Sequence, residues 1–298
     1  MASGVALGTF DGLHIGHMKV LENVKKYGEG NIRPVVLLFD VHPLEFLTGV
    51  CPTKLISDSK REQLLKQAGF DTYTLKFSKI YNLSPREFVK KILVGTLGAE
   101  LVSCGFNFRF GSENSGDTAV LKKICSEYGI KTVVAGELDY KGEPVSSTRI
   151  REEIKNGSIK EANKMLGRLF SYSAEVVTGD KRGREMGFPT INQFFEENFT
   201  VPKKGVYASV ANVNGIMYAS MTDIGVRPTA GISSERSETN IFGYSGNLYS
   251  EKIEVSLIDY IRPEIKFASF DDLIMQETKD RDKCMVISGE YLKSNGEK

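Results

Sequence analysis

Three stretches of this 298-residue chain combine residue types that could do chemistry on phosphates. In the first, Gly8-Thr9-Phe10-Asp11-Gly12-Leu13-His14-Ile15-Gly16-His17, a short apolar run precedes the glycines and a helical pattern follows them. A helix N-terminus at that junction presents free N–H groups and favours phosphate. His14 and His17 are three apart and share one helix face, while Gly12 and Gly16 let a ligand approach the backbone closely. A zinc reading competes, because His14, His17 and His42 are the chain's three histidines and three imidazoles can hold a catalytic zinc. In the second stretch, Val145-Ser146-Ser147-Thr148-Arg149-Ile150-Arg151, Ser147 or Thr148 would cap the helix that follows, and an arginine suits phosphate through its bidentate fork. The third runs from Gly179 to Asn192, with glycines at 179, 183 and 187. Its charges and Pro189 argue against a packed helix and for a glycine loop over phosphates. Thr190 and Asn192, two apart, share one face of a strand, and their oxygens are hard ligands suited to Mg²⁺. The chain has no Walker A sequence.

The elements that must position these stretches differ between the halves. Apolar runs at Val5–Leu7, Val35–Phe39, Phe70–Leu75, Leu101–Cys104 and Lys131–Ala135 alternate with helical patterns at Met18–Tyr27, Pro85–Val94 and Thr118–Tyr128. That alternation predicts a parallel sheet covered on both faces. Ligands in such sheets bind beyond the carboxyl ends of the strands, where Gly8–His17 and Gly105–Gly111 fall. Ile150–Leu166 reads as two helical stretches broken near Asn156-Gly157-Ser158. From there β-rich runs at Ser171–Thr178, Gly205–Asn212, Met217–Ile224, Glu238–Tyr244 and Glu251–Tyr260 are separated by Gly, Asn and Ser turns, which predicts an antiparallel barrel or sandwich. Asp271–Leu292 closes the chain as a helix. The boundary between domains falls near residue 166, giving domains 1–166 and 167–298.

Composition narrows the class. Hydrophobic residues make up 41% and charged residues 26%, ordinary for globular protein. Lys+Arg is 39 against Asp+Glu 38, so no basic excess argues for nucleic acid as a main partner. No apolar run reaches the ~18 residues of a membrane span, and Met1–Phe10 lacks the basic and apolar parts of a signal peptide. The four cysteines, Cys51, Cys104, Cys125 and Cys284, are scattered without C-x-x-C spacing, which reads as reduced thiols in the cytoplasm. Nothing in the sequence indicates an oligomeric state.

The first stretch, as G-x-F-D-G-x-H-x-G-H, resembles the nucleotidyltransferase superfamily and within it the FAD synthetases. The resemblance implies that His14 and His17 stabilise ATP phosphates, with Gly8, Phe10, Asp11 and Gly16 at the same site, while an FMN phosphate attacks the α-phosphorus in line. Ser147, Thr148 and Arg151 match the superfamily's second ATP signature. Phe39-Asp40-Val41-His42-Pro43 matches the family's F-D-P-H-P except at Val41, and Asp40 and His42 could line the site. Gly105-Phe106-Asn107-Phe108-Arg109-Phe110-Gly111 looks like the flavin-side loop, with Asn107 able to donate to and accept from FMN. Its aromatics Phe106, Phe108 and Phe110 suit core packing equally well.

The third stretch resembles the riboflavin kinases, whose loop ends P-T-A-N; here Ile191 replaces the alanine. The resemblance places Gly179, Lys181, Gly183, Gly187, Pro189 and Arg262 at a kinase site for ATP and flavin, and gives Glu238 the role of base. It departs from the family at Asp223, where Asn is common, and at Asn240, where His is usual. The expected chain is therefore an α/β nucleotidyltransferase with a Rossmann-like parallel sheet, followed by an antiparallel riboflavin-kinase-like β-barrel and a C-terminal helix. Its expected work is FAD synthesis from FMN and ATP, with riboflavin phosphorylation in the second half, using ATP, Mg²⁺ and flavins. A monofunctional FAD synthetase, with the barrel kept for flavin binding, is the alternative, and a non-enzymatic flavin sensor a further one.

Overall fold

The computed structural model describes residues 2–28, 32–179, 188–229 and 232–295. The chain divides into two compact units, Met1–Ser147 and Thr148–Lys298.

The first unit is built on strands β1 (Ser3–Leu7), β2 (Arg33–Phe39), β3 (Asp71–Leu75), β4 (Ala99–Gly105) and β5 (Lys131–Ala135), all parallel, in spatial order β3-β2-β1-β4-β5. Alternate residues of each strand feed opposite faces. Val5, Leu7, Leu37, Val102 and Cys104 join one core with Phe88, Leu93 and Leu121. Ala6, Val36 and Leu38 join another with Val20, Leu21, Val24 and Leu65. The inner strands β1, β2 and β4 are mostly buried and apolar, whereas the edge strand β3 is largely exposed. The faces are covered by helices α1 (Ile15–Tyr27) and α3 (Asp58–Gln67) on one side and, on the other, by α4 (Pro85–Phe88), which runs on into a π-helical stretch Val89–Thr96, and α5 (Thr118–Glu127), while the short α2 (Pro43–Thr48) has no buried residue. The strand order reverses between β1 and β4, which are neighbours although β2 and β3 intervene in sequence. Their carboxyl ends flank the crevice where ligands bind in such sheets, and the loops that leave there are Gly8–His14 and Phe106–Gly111.

A small hairpin, β6 (Asp139–Tyr140) with β7 (Glu143–Pro144), precedes α6 (Ser147–Asn156) and α7 (Ile159–Leu166). The composition change near residue 166 comes later than the division between compact units. The reason is packing: α7 lies on the barrel that follows. Asn163 donates to Leu257 O at 2.9 Å and accepts from Phe170 N at 2.6 Å.

The second unit is the expected antiparallel barrel. Strands β8 (Phe170–Glu175), β9 (Thr190–Phe194), β10 (Gly205–Val213), β11 (Ile216–Thr229), β12 (Ile232–Ile241) and β13 (Lys252–Arg262) run in spatial order β8-β13-β10-β11-β12-β9. The edges meet where Val177 pairs Asn192 and where Gln193 donates to Ala174 O and Ile253 O. The strand expected over Glu238–Tyr244 is instead Ile232–Ile241, with Phe242–Tyr244 in the turn that follows. The enclosed face carries a chain of buried hydroxyls, Ser220–Ser209–Thr222–Thr239, at 2.7–2.9 Å. The outer face carries α8 (Phe270–Asn295), whose Cys284 packs on Val206, Ala208 and Met221.

Candidate active sites

The Gly8–His17 loop leaves β1 in a conformation that few side chains tolerate. Gly12 has φ of 80°, and two flanking non-glycine residues, Phe10 and Leu13, also lie in the left-handed region at 51° and 43°. Strain of this kind concentrates at functional loops held by their surroundings. Here the holding is visible. Phe10 is fully buried, with its ring against Gly8 and His17 of the same loop. Asp11 is buried, and its Oδ1 accepts from Leu55 N at 3.0 Å. Its carbonyl accepts from Ser147 Oγ at 2.9 Å.

His14 sits at the N-cap of α1, with its Nδ1 accepting from His17 N at 3.3 Å. That bond leaves the imidazole proton on Nε2. The two imidazoles stack with centroids 3.6 Å apart, and Phe10 packs on His17 at 5.3 Å. A Cβ on Gly16 would lie 3.1 Å from the His14 ring. The three-residue spacing has thus produced a stacked pair at a helix N-terminus, where ring N–H and backbone N–H groups converge. The zinc reading fails: among the described residues no group of three or more His, Cys, Asp or Glu could hold a metal. His42 instead caps α2, its Nδ1 accepting from Leu44 N at 3.2 Å.

Asp40 and His42 line a small cavity of about 90 Å³ together with Thr9 and Asp11. Asp40 Oδ1 accepts from Phe77 N at 2.9 Å, fixing the loop after β2. Asn107 lies in the exposed loop after β4 and does not line this cavity. The three aromatics of that loop divide: Phe108 and Phe110 pack in the core and Phe106 is exposed. A feature missed from sequence is the aromatic group on α2. Phe46, 41% exposed, packs against Phe77 and Tyr81; α2 buries no residue, so no apolar stripe marks it in the sequence. Ser147 is the first residue of α6 and, rather than serving only as a cap, gives its hydroxyl to the Asp11 loop. Thr148 and Arg151 follow on α6.

The second site is a grid of side chains on the barrel's outer face. Register places Asn192, Glu238 and Asp223 in one row across β9, β12 and β11, and Thr190, Asn240 and Met221 in the next. These residues line a cavity of about 840 Å³, a size that suits a cofactor-like ligand. Gly179 touches Asn192 so closely that a Cβ would fall 2.3 Å from its Nδ2. Asn192 Oδ1 is buried and has no hydrogen-bond partner among the described residues. Asn240 Nδ2 donates to Pro189 O at 2.6 Å, anchoring the end of the glycine loop. Lys181, Gly183 and Gly187 lie outside the described residues.

Arg262 does not line the cavity. Its Nε donates to Asp280 at 2.6 Å and its Nη2 lies 3.6 Å from Glu277, tying α8 to β13. Three cavity residues escaped the sequence reading as site residues: Asp223, Arg236 and Glu277. Alternation along β11 and β12 could have flagged the first two as sharing the face of Glu238. Crowding by protein, then the charges of Glu238 and Glu264, push the Asp223 carboxyl up to about 6 against the pull of Arg262. Asp223 still meets cavity water, which screens part of that repulsion. Burial and then Asp223 push Glu277 up to about 7.

A doubly wound parallel-sheet unit followed by an antiparallel barrel with a polar cavity of its own is the build of a two-part transferase. A family model described as FAD synthetase matches residues 2–149, and one described as riboflavin kinase matches residues 166–287. Proteins named bifunctional riboflavin kinase/FMN adenylyltransferase match along nearly the whole chain. The one from Buchnera aphidicola (subsp. Schizaphis graminum) is 36% identical, covering 93% of this chain and 91% of that protein. That from Listeria monocytogenes is 34% identical, covering 93% and 89%, and that from Bacillus subtilis 32%, covering 95% and 92%. The chain belongs to the bifunctional riboflavin kinase/FMN adenylyltransferase family. A solved structure titled macrolide-efflux protein from Streptococcus pneumoniae matches with a TM-score of 0.86 at 30% identity, covering 94% of this chain and 92% of that one. Among the described residues of this chain no helix is long and apolar enough to cross a membrane.

Proposed function

We propose that the chain makes FMN from riboflavin and ATP in its second half, and FAD from FMN and ATP in its first, the activities dividing between residues 1–166 and 167–298. The observation that carries the FAD step is the hydrogen bond from Ser147 Oγ to Asp11 O, which joins two phosphate signatures 136 residues apart in sequence. An FMN phosphate oxygen attacks the α-phosphorus of ATP and pyrophosphate leaves. His14 and His17 meet the charge that develops on the phosphates, with the backbone of Gly8, Phe10, Asp11 and Gly16, and with Ser147, Thr148 and Arg151, completing the ATP contacts. Asp40, His42 and Asn107 face FMN, and the rings of Phe46, Phe77 and Tyr81 offer its flavin an apolar wall.

In the barrel, Glu238 takes the proton of the ribityl primary hydroxyl as that oxygen attacks the γ-phosphorus. Asn192 Oδ1, buried and without a partner among the described residues, fits a hard cation, and Thr190 shares its face, so these two would hold Mg²⁺. When bound, Mg²⁺ offsets the phosphate charge. Gly179, Lys181, Gly183, Gly187 and Pro189 cover the nucleotide, while Arg262 acts through α8, the cavity wall that carries Glu277. The four cysteines, three of them buried and none in a disulfide, suit a reducing cytoplasm.

Incubating the protein with ATP, Mg²⁺ and either riboflavin or FMN, then resolving the flavins by chromatography, tests both steps. FMN from riboflavin and FAD from FMN are the expected products. FAD from FMN with no FMN from riboflavin would leave a monofunctional FAD synthetase, the reading that the Asp223 and Asn240 departures favour. Turnover of neither substrate would leave a flavin-binding protein.

A further inference from the structure

The barrel cavity is acidic for a place that must admit a polyphosphate. Asp223, Glu238 and Glu277 line it, and the cation among its described lining residues is Arg236. Arg236 and Glu238 are two apart on β12 and so project from the same outer face. Arg236 Nη2 donates a hydrogen bond to Glu238 Oε1. The Arg236 side chain keeps 15% of its exposure and that of Glu238 keeps 38%, so the pair stands at the cavity wall and can be reached from it. Arg262 offers a contrast. It is engaged by Asp280 through Nε and faces Glu277 through Nη2, and it holds α8 in place outside the cavity lining.

The pairing bears directly on catalysis. A carboxylate oxygen whose lone pair accepts from a guanidinium is poorly placed to accept a substrate proton. A guanidinium also matches phosphate oxygens with two parallel hydrogen bonds, a better geometry than the single contact seen here. We propose that Arg236 is a further phosphate-binding residue of the kinase site: it holds Glu238 while the cavity lacks nucleotide, and exchanges that carboxylate for the γ-phosphoryl oxygens of ATP. The exchange frees Glu238 at the moment the phosphoryl group is in place. The ribityl O–H then loses its proton to Glu238 and its oxygen bonds to the γ-phosphorus. The bond from that phosphorus to the bridging oxygen breaks, and ADP leaves with the electron pair. A base that is engaged until nucleotide arrives also protects the cavity from accumulating uncompensated negative charge next to Asp223, which stands opposite Glu238 in register. The inference rests on the kinase reading of the barrel, and its test separates the two.

Arg236→Met and Arg236→Lys are made in the full-length chain. FMN formation is followed against ATP at fixed riboflavin, FAD formation from FMN is followed as a fold control, and binding of the Mg²⁺ complex of a non-hydrolysable ATP analogue that keeps the γ-phosphoryl group is titrated by calorimetry. Arg236→Met is expected to raise the KM for ATP about tenfold and lower kcat about tenfold or more. Arg236→Lys should recover much of the KM but less of kcat, because an ammonium is a point charge without the fork. FAD formation should be unchanged. The calorimetric titration should show one nucleotide site weakened about tenfold and the other unaltered. KM for ATP and kcat within twofold of the parent would overturn the proposal. So would a lowered melting temperature with ATP kinetics intact, since that is what a purely structural ion pair predicts. If the parent makes no FMN at all, the kinase reading falls, but the calorimetric result still decides for or against Arg236 as a phosphate ligand.

Discussion

The two sites reach similar chemistry by different construction. In the first unit the proposed phosphate site is mainly backbone: a strained turn, a helix N-terminus and two stacked imidazoles, fixed from both sides through Asp11. In the second unit it is mainly side chains: rows of Asn, Glu, Asp and Arg on the outer face of a barrel, next to a helix that brings more acid. A backbone site fails when its conformation fails. A side-chain site fails when its charge balance does. The electrostatics follow the same division. In the first unit, carboxylates are held below their ordinary range by local bonds, as at Glu87, at about 2 through Ser84 and Lys91, and at Asp117 through Val120 N. In the second, crowding pushes both Asp223 and Glu277 up, helped at Asp223 by Glu238 and Glu264 and at Glu277 by Asp223.

The sharpest break of the comparison is reciprocal. His17→Ala should reduce FAD formation from FMN by about 10²-fold or more, by removing a donor to the developing phosphate charge, and leave riboflavin phosphorylation intact. Glu238→Ala should do the reverse, costing about 10²–10⁴-fold in FMN formation through loss of the base. Chromatography of the flavin products reads both. Equal loss of both products in either variant would contradict two separate sites.

Next comes the backbone itself. Gly12→Ala puts a Cβ on a residue with φ of 80°, at a cost of about 1–3 kcal/mol that the loop must meet by moving. FAD formation should fall about tenfold as the His14–His17 pair shifts, with FMN formation unchanged. No barrel residue of the Asn192 row depends on a left-handed backbone, so an alanine scan along β11 and β12 should show losses that follow charge and hydrogen bonding instead.

These differences explain what could be read from sequence. The parallel sheet was legible because the middle residues of β1, β2 and β4 are buried on both faces and therefore mostly apolar. The His14–His17 pair was legible because it is local: three residues of a helix start carry it. Ser147 and Asp11 could be placed near one another only through a resemblance, since nothing in local spacing links them. The acid group of the barrel was legible only in part: Glu238 was flagged and alternation could have added Asp223, but nothing local links Glu277 to them. Asp223 comes from β11, Glu238 from β12 and Glu277 from α8, and only the curl of the sheet and the packing of Cys284 on Met221 bring them to one cavity. α2 was missed because its apolar residues Leu44, Phe46 and Leu47 are exposed, so it lacks the buried stripe that marks a core helix.

The opposed carboxylates predict opposed responses to pH. Asp223 and Glu277 have folded pKa values of about 6 and about 7, above the ~3.9 and ~4.3 of an unfolded chain. The folded barrel therefore binds more protons than the unfolded chain in this window. Their contribution is fully present below about pH 4 and is lost as pH rises through 6 and 7. Glu87 and Asp117 act the other way, their contribution being lost as pH falls below the ordinary carboxylate range, and both are solvent-exposed and so weakly felt. Calorimetric unfolding of the full chain at pH 5 and pH 8 should show the barrel transition lower at pH 8. Asp223→Asn should flatten that dependence; an unchanged slope would mean that Asp223 is not its source.

The smallest effect expected is at Asn240, where the family usually has histidine. Among the described residues the Asn240 side chain makes one hydrogen bond. Its Nδ2 donates to Pro189 O at 2.6 Å and ties β12 to the end of the glycine loop. A histidine at the same position can donate from a ring nitrogen to the same carbonyl, so Asn240→His should change FMN formation by no more than about threefold. Asn240→Leu fills similar space but cannot donate, leaves the Pro189 carbonyl without this partner, and should cost about tenfold. The pair of variants decides whether the departure from the usual residue matters. If Asn240→His raises FMN formation by orders of magnitude, then Asn240 limits the barrel, and the side-chain site is a weakened kinase beside an intact backbone site. If the two variants behave alike, the Pro189 bond does not position the loop, and Asn240 is not what holds the glycine loop against β12.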